Sequence, residues 1–278
     1  MSGFISSSTV DSPIDAIAIG NFDGMHMGHQ ALFSRLGPAG GIVVIEHFRA
    51  TMTPGLYRAA FSEYPLFFYD FEQIRGLVPE AFIQRLYADF PALRRIVVGE
   101  DFAFGAGRSA DVRQLEVLFG GEVDVVAEVH TGGEPVHSRF IRRMIREGNI
   151  PKANRLLGHS YRIWGEIVRG QGLGAKSLVP TLNVDTGRFL LPASGVYRTE
   201  TCIGDNCHPS VTFVGHRVTT DGRFSVETHI IDQDLHTRKT PWNVSIVWLD
   251  RLRANRRFDT LDALKRQIEL DIGEARER

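Results

Sequence analysis

Two histidines three residues apart, His26 and His29, close the stretch Ala16-Ile-Ala-Ile-Gly-Asn-Phe-Asp-Gly-Met-His-Met-Gly-His29. At the start of a helix this spacing puts both imidazoles on one face. There they stand beside the free amides and partial positive charge of a helix N-terminus, where a polyphosphate is stabilised. Gly20 and Gly24 let backbone amides come close to a ligand. The pattern therefore reads as a nucleoside triphosphate site built on Gly20, Asn21, Phe22, Asp23, Gly24, His26, Gly28 and His29. Histidine pairs also cap or pack in ordinary strand-turn-helix units, and it is the Gly-Asn-Phe-Asp-Gly turn that favours nucleotide binding.

A second glycine loop, Val98-Gly-Glu-Asp-Phe-Ala-Phe-Gly105, is followed by Ala106-Gly-Arg108. It reads equally well as a ligand loop carrying Asp101 and Phe102 and as a plain connection whose Phe102 and Phe104 enter the core. Further along, Ser138 is a suitable N-cap for a helix with arginines at 139, 142, 143 and 146, one basic face opposite Phe140, Ile141, Met144 and Ile145. That face meets either solvent or phosphates, and in the second case Arg142 lies nearest them. The two cysteines, Cys202 and Cys207, bracket a Gly204-Asp-Asn206 turn. We expect them reduced. His208 beside them does not make a zinc site, which needs four spaced ligands.

The elements that must carry these residues change rhythm midway. Apolar runs over 16–19, 42–46, 66–69, 95–98 and 123–127 alternate with helical patterns, including Phe82, Leu86 and Phe90 behind Pro79. This predicts an α/β fold with a doubly wound parallel sheet, whose ligands bind at the carboxyl ends of the strands. After Gly158 come short β-patterned runs over 161–168, 195–202, 210–214, 224–231 and 242–249, which predict a small β-barrel. A last helix from about Thr260 carries Leu261, Leu264, Ile268 and Ile272 on one stripe and should cover the barrel. The expected domains are 1–158 and 159–278.

At 278 residues the chain can bury two cores. Its net charge of −1 argues against nucleic acid as the main partner. The first fifteen residues hold no Lys or Arg and no apolar segment, and no apolar run approaches the roughly 18 residues of a spanning helix. A cytoplasmic protein without membrane contact is expected.

With these residues in view, the chain resembles the bacterial bifunctional riboflavin kinase/FAD synthetase family over nearly its full length. Gly20 to His29 matches the family's Gly-Asn-Phe-Asp-Gly-x-His-x-Gly-His motif without change, and Gly99 to Gly105 matches its Gly-x-Asp-Phe-x-Phe-Gly loop. In the second half Pro180-Thr-Leu-Asn183, Leu191-Pro-Ala-Ser-Gly-Val-Tyr197 and Val226-Glu-Thr-His229 are similar to its riboflavin kinase motifs.

The resemblance implies an N-terminal FMN adenylyltransferase module of the His-x-Gly-His nucleotidyltransferase type and a C-terminal riboflavin kinase module. It implies ATP and Mg2+, with the flavins riboflavin, FMN and FAD as substrates or products. It assigns His26 and His29 to the triphosphate and Arg142, near Ser138, to the pyrophosphate. Thr181 and Asn183, beside Pro180, fall to ATP and magnesium, and Glu227 to the proton of the riboflavin 5′-hydroxyl.

Four segments differ from the family pattern. Residues 136–142 keep Ser138 and Arg142 but lack a threonine, and 45–49 read Ile-Glu-His-Phe-Arg in place of Phe-x-Pro-His-Pro. Residues 170–179 lack the usual arginine and second glycine, and 213–219 read Phe-Val-Gly-His-Arg-Val-Thr. These changes touch substrate contacts rather than the fold. Three alternatives stand beside the bifunctional reading: one activity retained, a catalytically silent flavin-binding regulator, and a tRNA-directed enzyme with the same histidine motif.

Overall fold

The computed structural model describes residues 5–6, 13–47, 49–168, 179–233 and 243–277. The expected segment at 170–179 therefore lies outside the described residues apart from Val179, as do Phe48 and Trp242. Two compact units emerge. One comprises Met1–Arg49 and Thr53–Ser138, the other Ala50–Met52 and Arg139–Arg278.

In the first unit, strands β1 (Ile5–Ser6), β2 (Ala16–Gly20), β3 (Gly40–Glu46), β4 (Leu66–Asp70), β5 (Arg95–Gly99) and β6 (Glu122–Val126) form a sheet of order β1-β4-β3-β2-β5-β6. Every pairing is parallel except that of β1 with β4. The central strands are apolar throughout because both faces are covered. Ile17, Ile19, Val43, Ile96 and Val98 enter one core, while Ala16, Ala18, Ile42, Val44 and Val97 enter the other, as the two-residue period of a strand requires. Helices α1 (Met27–Phe33), α2 (Phe71–Ile74), α3 (Pro79–Asp89) and α4 (Val112–Leu118) flank the sheet. Pro79 sits in the first turn of α3, and Asp111 with Gln114 makes a capping box for α4. A 3-10 helix spans Gly55–Phe61, and β7 (His130–Thr131) pairs with β8 (Glu134–Pro135).

The chain runs outward from β2 through β3 to β4, then resumes on the other side of β2 with β5 and β6. The switch point therefore falls between β2 and β5, and the Gly20 turn and the Gly99 loop leave the carboxyl ends of those two strands.

In the second unit, α5 (Ser138–Glu147), whose first residue belongs to the first unit, leads to α6 (Ile150–Leu157). Asn149 caps α6, and Gly158 ends it in the left-handed conformation. Helix α6 packs on barrel strands and so falls in the second compact unit. Strands β9 (Tyr161–Val168), β10 (Leu182–Asp185), β11 (Gly195–Ile203), β12 (Asn206–His216), β13 (Phe224–Ile230) and β14 (Asn243–Ala254) close a barrel of order β10-β13-β12-β11-β14-β9. The sequence pattern passed over β10, a four-residue strand interrupted by Asn183. Helix α7 (Leu261–Glu277) sets Ile268, Ile272 and Ala275 against Val196, Val211 and Ile231, while Leu261 is exposed.

Inside the barrel, five buried hydroxyls bond in a closed circuit. Thr199 meets Ser210 at 2.8 Å and Thr212 at 2.7 Å. Thr201 meets Ser210 at 2.9 Å and Thr228 at 2.7 Å, and Thr212 closes the ring to Thr228 at 3.0 Å. The expectation of reduced cysteines is corrected. Cys202 and Cys207 are register partners on β11 and β12, and their sulfurs are bonded. The tight hairpin at Gly204 and Asp205 brings their Cα atoms to 3.9 Å.

Candidate active sites

The turn from β2 into α1 is strained where the motif lies. Phe22, Gly24 and Met25 all take positive φ, of 49°, 88° and 45°. For Phe and Met this is an unfavourable region, held only where the surroundings over-determine it. Here they do. Phe22 and Met25 are buried in the core, and Asn21 Nδ2 donates to Ile45 O at 2.8 Å. Asp23 is buried and accepts from Thr53 N at 3.2 Å, while Gly24 N donates to Thr53 Oγ1 at 2.8 Å.

The turn delivers the two histidines as a stacked pair, their centroids 3.5 Å apart and their planes 20° from parallel. His26 is the residue before α1 and makes no side-chain cap, and His29 lies within the helix. Ser138 Oγ donates to Asp23 O at 2.9 Å and lies 3.1 Å from His26 Nε2. A hydroxyl has one hydrogen, so His26 must donate from Nε2. Ser138 thus spends its hydroxyl on the histidine turn. A Cβ on Gly28 would stand 3.2 Å from the His26 ring, a tight contact, and 3.5 Å from Val136 O. Burial chiefly, then the charges of His26 and Arg58, hold His29 well below the ordinary imidazole value, so it is uncharged at neutral pH.

At the second loop, Phe102 N donates to Gly99 O at 3.0 Å and Phe102 stacks on Phe104 at 5.7 Å. Phe104 is buried and Phe102 packs partly against the same core. Asp101 is exposed beside it. Arg142 lies half-buried on α5, four residues beyond Ser138. Of the other arginines of that face, Arg139 and Arg143 lie over the Phe140 ring at 5.0 and 5.2 Å.

In the second unit, Thr181, Asn183 and Glu227 line one cavity of about 160 Å³, whose apolar wall includes Val196, Phe213 and Ile268. Asn183 and Glu227 are register partners across β10 and β13. Pro180 O accepts from His229 Nδ1 at 2.8 Å, which tethers the start of this motif to β13. Arg217, given no role by sequence reasoning, reaches Glu227 Oε1 at 3.1 Å and grips Asp221 with Nε and Nη2 at 3.0 and 2.9 Å. Burial alone would raise the Asp221 carboxyl, but the Arg223 amide and the Arg217 guanidinium hold it below the usual carboxylate range. Arg217 lay in one of the divergent segments, and that divergence was the signal available.

The donor set fits a hard cation shared with phosphates. Thr181 and Asn183 offer a hydroxyl and an amide oxygen, and Mg2+ is commonly held by one or two protein ligands with substrate oxygens completing the shell. Among the described residues no group of three or more His, Cys, Asp or Glu is placed to hold a metal by itself.

A switch-point sheet with a histidine turn, joined to a closed barrel with a carboxylate, an amide and a hydroxyl in one cavity, defines a two-site transferase. The family models agree on both halves: FAD synthetase matches residues 10–40 and 64–140, and riboflavin kinase matches 157–278. The chain is 32% identical to the bifunctional riboflavin kinase/FMN adenylyltransferase of Pseudomonas fluorescens, over 93% of this chain and 91% of that one. It is 31% identical to the Escherichia coli K12 protein of the same description, over 94% and 91%. The chain belongs to the bifunctional riboflavin kinase/FMN adenylyltransferase family. A crystal structure of a Streptococcus pneumoniae protein described as a macrolide-efflux protein superimposes with a TM-score of 0.81 at 29% identity, covering 97% of this chain and 96% of that one. Among the described residues of the present chain, no helix is long and apolar enough to cross a membrane.

Proposed function

We propose that this protein phosphorylates riboflavin to FMN and adenylylates FMN to FAD, with ATP as the donor in both steps. The observation that carries this reading is the agreement of two family models, in order, with two separately built clusters: the stacked His26 and His29, and the cavity shared by Thr181, Asn183 and Glu227. We assign adenylyl transfer to residues 1–158 and the kinase step to 159–278. The substrates are small molecules, and neither nucleic acid nor membrane is required; the place of action is the cytoplasm.

In the kinase unit Glu227 takes the proton of the riboflavin 5′-hydroxyl as its oxygen attacks the γ-phosphorus of ATP and ADP leaves. Thr181 and Asn183 hold Mg2+, which neutralises phosphate charge when bound. In the first unit the FMN phosphate attacks the α-phosphorus of ATP and pyrophosphate leaves, so no protein nucleophile is needed. His26 and His29 stabilise the triphosphate as charge shifts, and Arg142 meets the leaving pyrophosphate. Gly20, Asn21, Phe22, Asp23, Gly24 and Gly28 shape the turn, Ser138 orients His26, and Asp101 and Phe102 border the nucleotide.

Following flavin products from riboflavin with Mg-ATP tests the proposal. FMN should appear first and FAD after it. Accumulation of FMN alone would reduce the protein to a kinase, and tight flavin binding with no product would make it a silent binding protein.

A further inference from the structure

Residues 41–63 fall between the two segments that the FAD synthetase model matches, and they include one of the stretches where the motif pattern departs. The structure nevertheless ties this part of the chain to the histidine turn at both ends. Thr53 is bonded to Asp23 and Gly24. At the far end Phe61 O accepts from Gln30 Nε2 at 3.0 Å, and the same amide donates to Met25 O at 3.0 Å. The 3-10 helix Gly55–Phe61 is thereby pinned between the turn and α1.

Between the pins sits Arg58, with no exposed surface, its Nη1 2.6 Å from Glu46 Oε2. The same oxygen accepts from Gly55 N at 3.2 Å, and Nη1 also donates to Gly55 O at 3.2 Å. An ion pair removed from water gives little net stability over apolar side chains of the same size, so stability is a weak reason for its presence. Glu46 is the last residue of β3, at the carboxyl end of this central strand, where Asn21 holds Ile45.

We propose that the Arg58–Glu46 pair is a positioning device for adenylyl transfer, setting the 3-10 helix against the turn that carries the two histidines. This rests on the adenylyl-transfer reading of the first unit. The charged and titratable groups around His29 are His26 from its own turn, Arg58 from the 3-10 helix, Glu46 opposite Arg58, and Asp23 at the base of the turn; Phe22 meets its ring edge at 5.1 Å. Arg58 opposes a proton on His29. An uncharged His29 presents one N–H donor and a constant geometry to the triphosphate, with no proton taken up when ATP binds.

The test is the titration of His29 in the full-length protein, followed by NMR of its ring Cε1–H and assigned with His29→Gln. Arg58→Met should raise the midpoint. It should slow FMN-to-FAD conversion about tenfold at pH 6, less at pH 8, and leave riboflavin-to-FMN conversion unchanged. Arg58→Lys should keep the wild-type midpoint while losing part of the rate, because charge persists and the bond to Glu46 is altered. Should Arg58→Met fail to fold, Glu46→Gln decides, since a guanidinium no longer balanced by Glu46 should push the His29 midpoint lower still. A midpoint that ignores these changes in folded protein overturns the proposal. If the midpoints move as expected but wild-type protein makes no FAD, the pair's action on His29 stands and the adenylyl-transfer reading fails.

Discussion

Arg217 Nη1 stands 3.1 Å from Glu227 Oε1, while the rest of its guanidinium is held by Asp221. The carboxylate assigned as base is thus oriented by a cation that is anchored on the loop between β12 and β13. Replacing Glu227 by Gln removes the proton acceptor and should lower kcat for riboflavin phosphorylation by about 10²–10⁴-fold. FMN-to-FAD conversion should be untouched. Asp221→Asn, which only loosens Arg217, should cost much less. Chromatography of flavins formed from riboflavin, and separately from FMN, measures both; loss of both activities in folded Glu227→Gln protein would refute the division of labour.

His26 donates to Ser138, and Ser138 to Asp23 O, so the three form one chain of hydrogen bonds. Ser138→Ala leaves the His26 N–H and the Asp23 carbonyl without that hydroxyl, at a cost of about 1–3 kcal/mol. FAD formation should fall while the kinase step persists. Ser138→Thr, which keeps the hydroxyl, should recover most of the rate, and steady-state assays of the three proteins decide the matter.

His29 predicts a pH dependence of stability. Its folded pKa lies well below the unfolded value of 6.5, so below that value the unfolded chain binds the extra proton. Its contribution is fully present above pH 6.5 and is lost as pH falls toward the folded pKa, with a slope of at most about 1.4 kcal/mol per pH unit. Urea unfolding at pH 7.5 and 5.5 should show a smaller loss for His29→Gln than for the wild type. An equal loss would mean that His29 is not the group responsible.

The five-hydroxyl ring in the barrel predicts an asymmetry between losing volume and losing a partner. Thr212→Val keeps the shape but breaks the bonds to Thr199 and Thr228, at about 1–3 kcal/mol. Because Thr228 adjoins Glu227 on β13, the same change should also slow the kinase step. All three tryptophans, Trp164, Trp242 and Trp248, belong to the second half of the sequence, and Trp164 and Trp248 lie on barrel strands, so fluorescence in denaturant reports on that half. An unchanged midpoint would show that the ring adds nothing.

Much of this was legible from local pattern. The apolar runs of β2, β3 and β5 announced a sheet covered on both faces, and the unchanged Gly20 to His29 motif marked the turn that carries the stacked histidines. Short polar strands were less visible: β10 holds Leu182 and Val184 inward but Asn183 between them, too few alternations to stand out. The cysteine pair was misread because its bonding depends on which residue faces Cys202 across the hairpin, and register is not written in either residue.

By itself the sequence determined the family, the two halves and the motif residues, because each lies within a few positions of its neighbours and obeys the period of one element. Tertiary structure alone decided that Arg58 pairs with Glu46, that Arg217 reaches Glu227, and that five hydroxyls close a ring. These relations join side chains from different elements, and the distances between them are set by strand register and by turns, which no local pattern encodes.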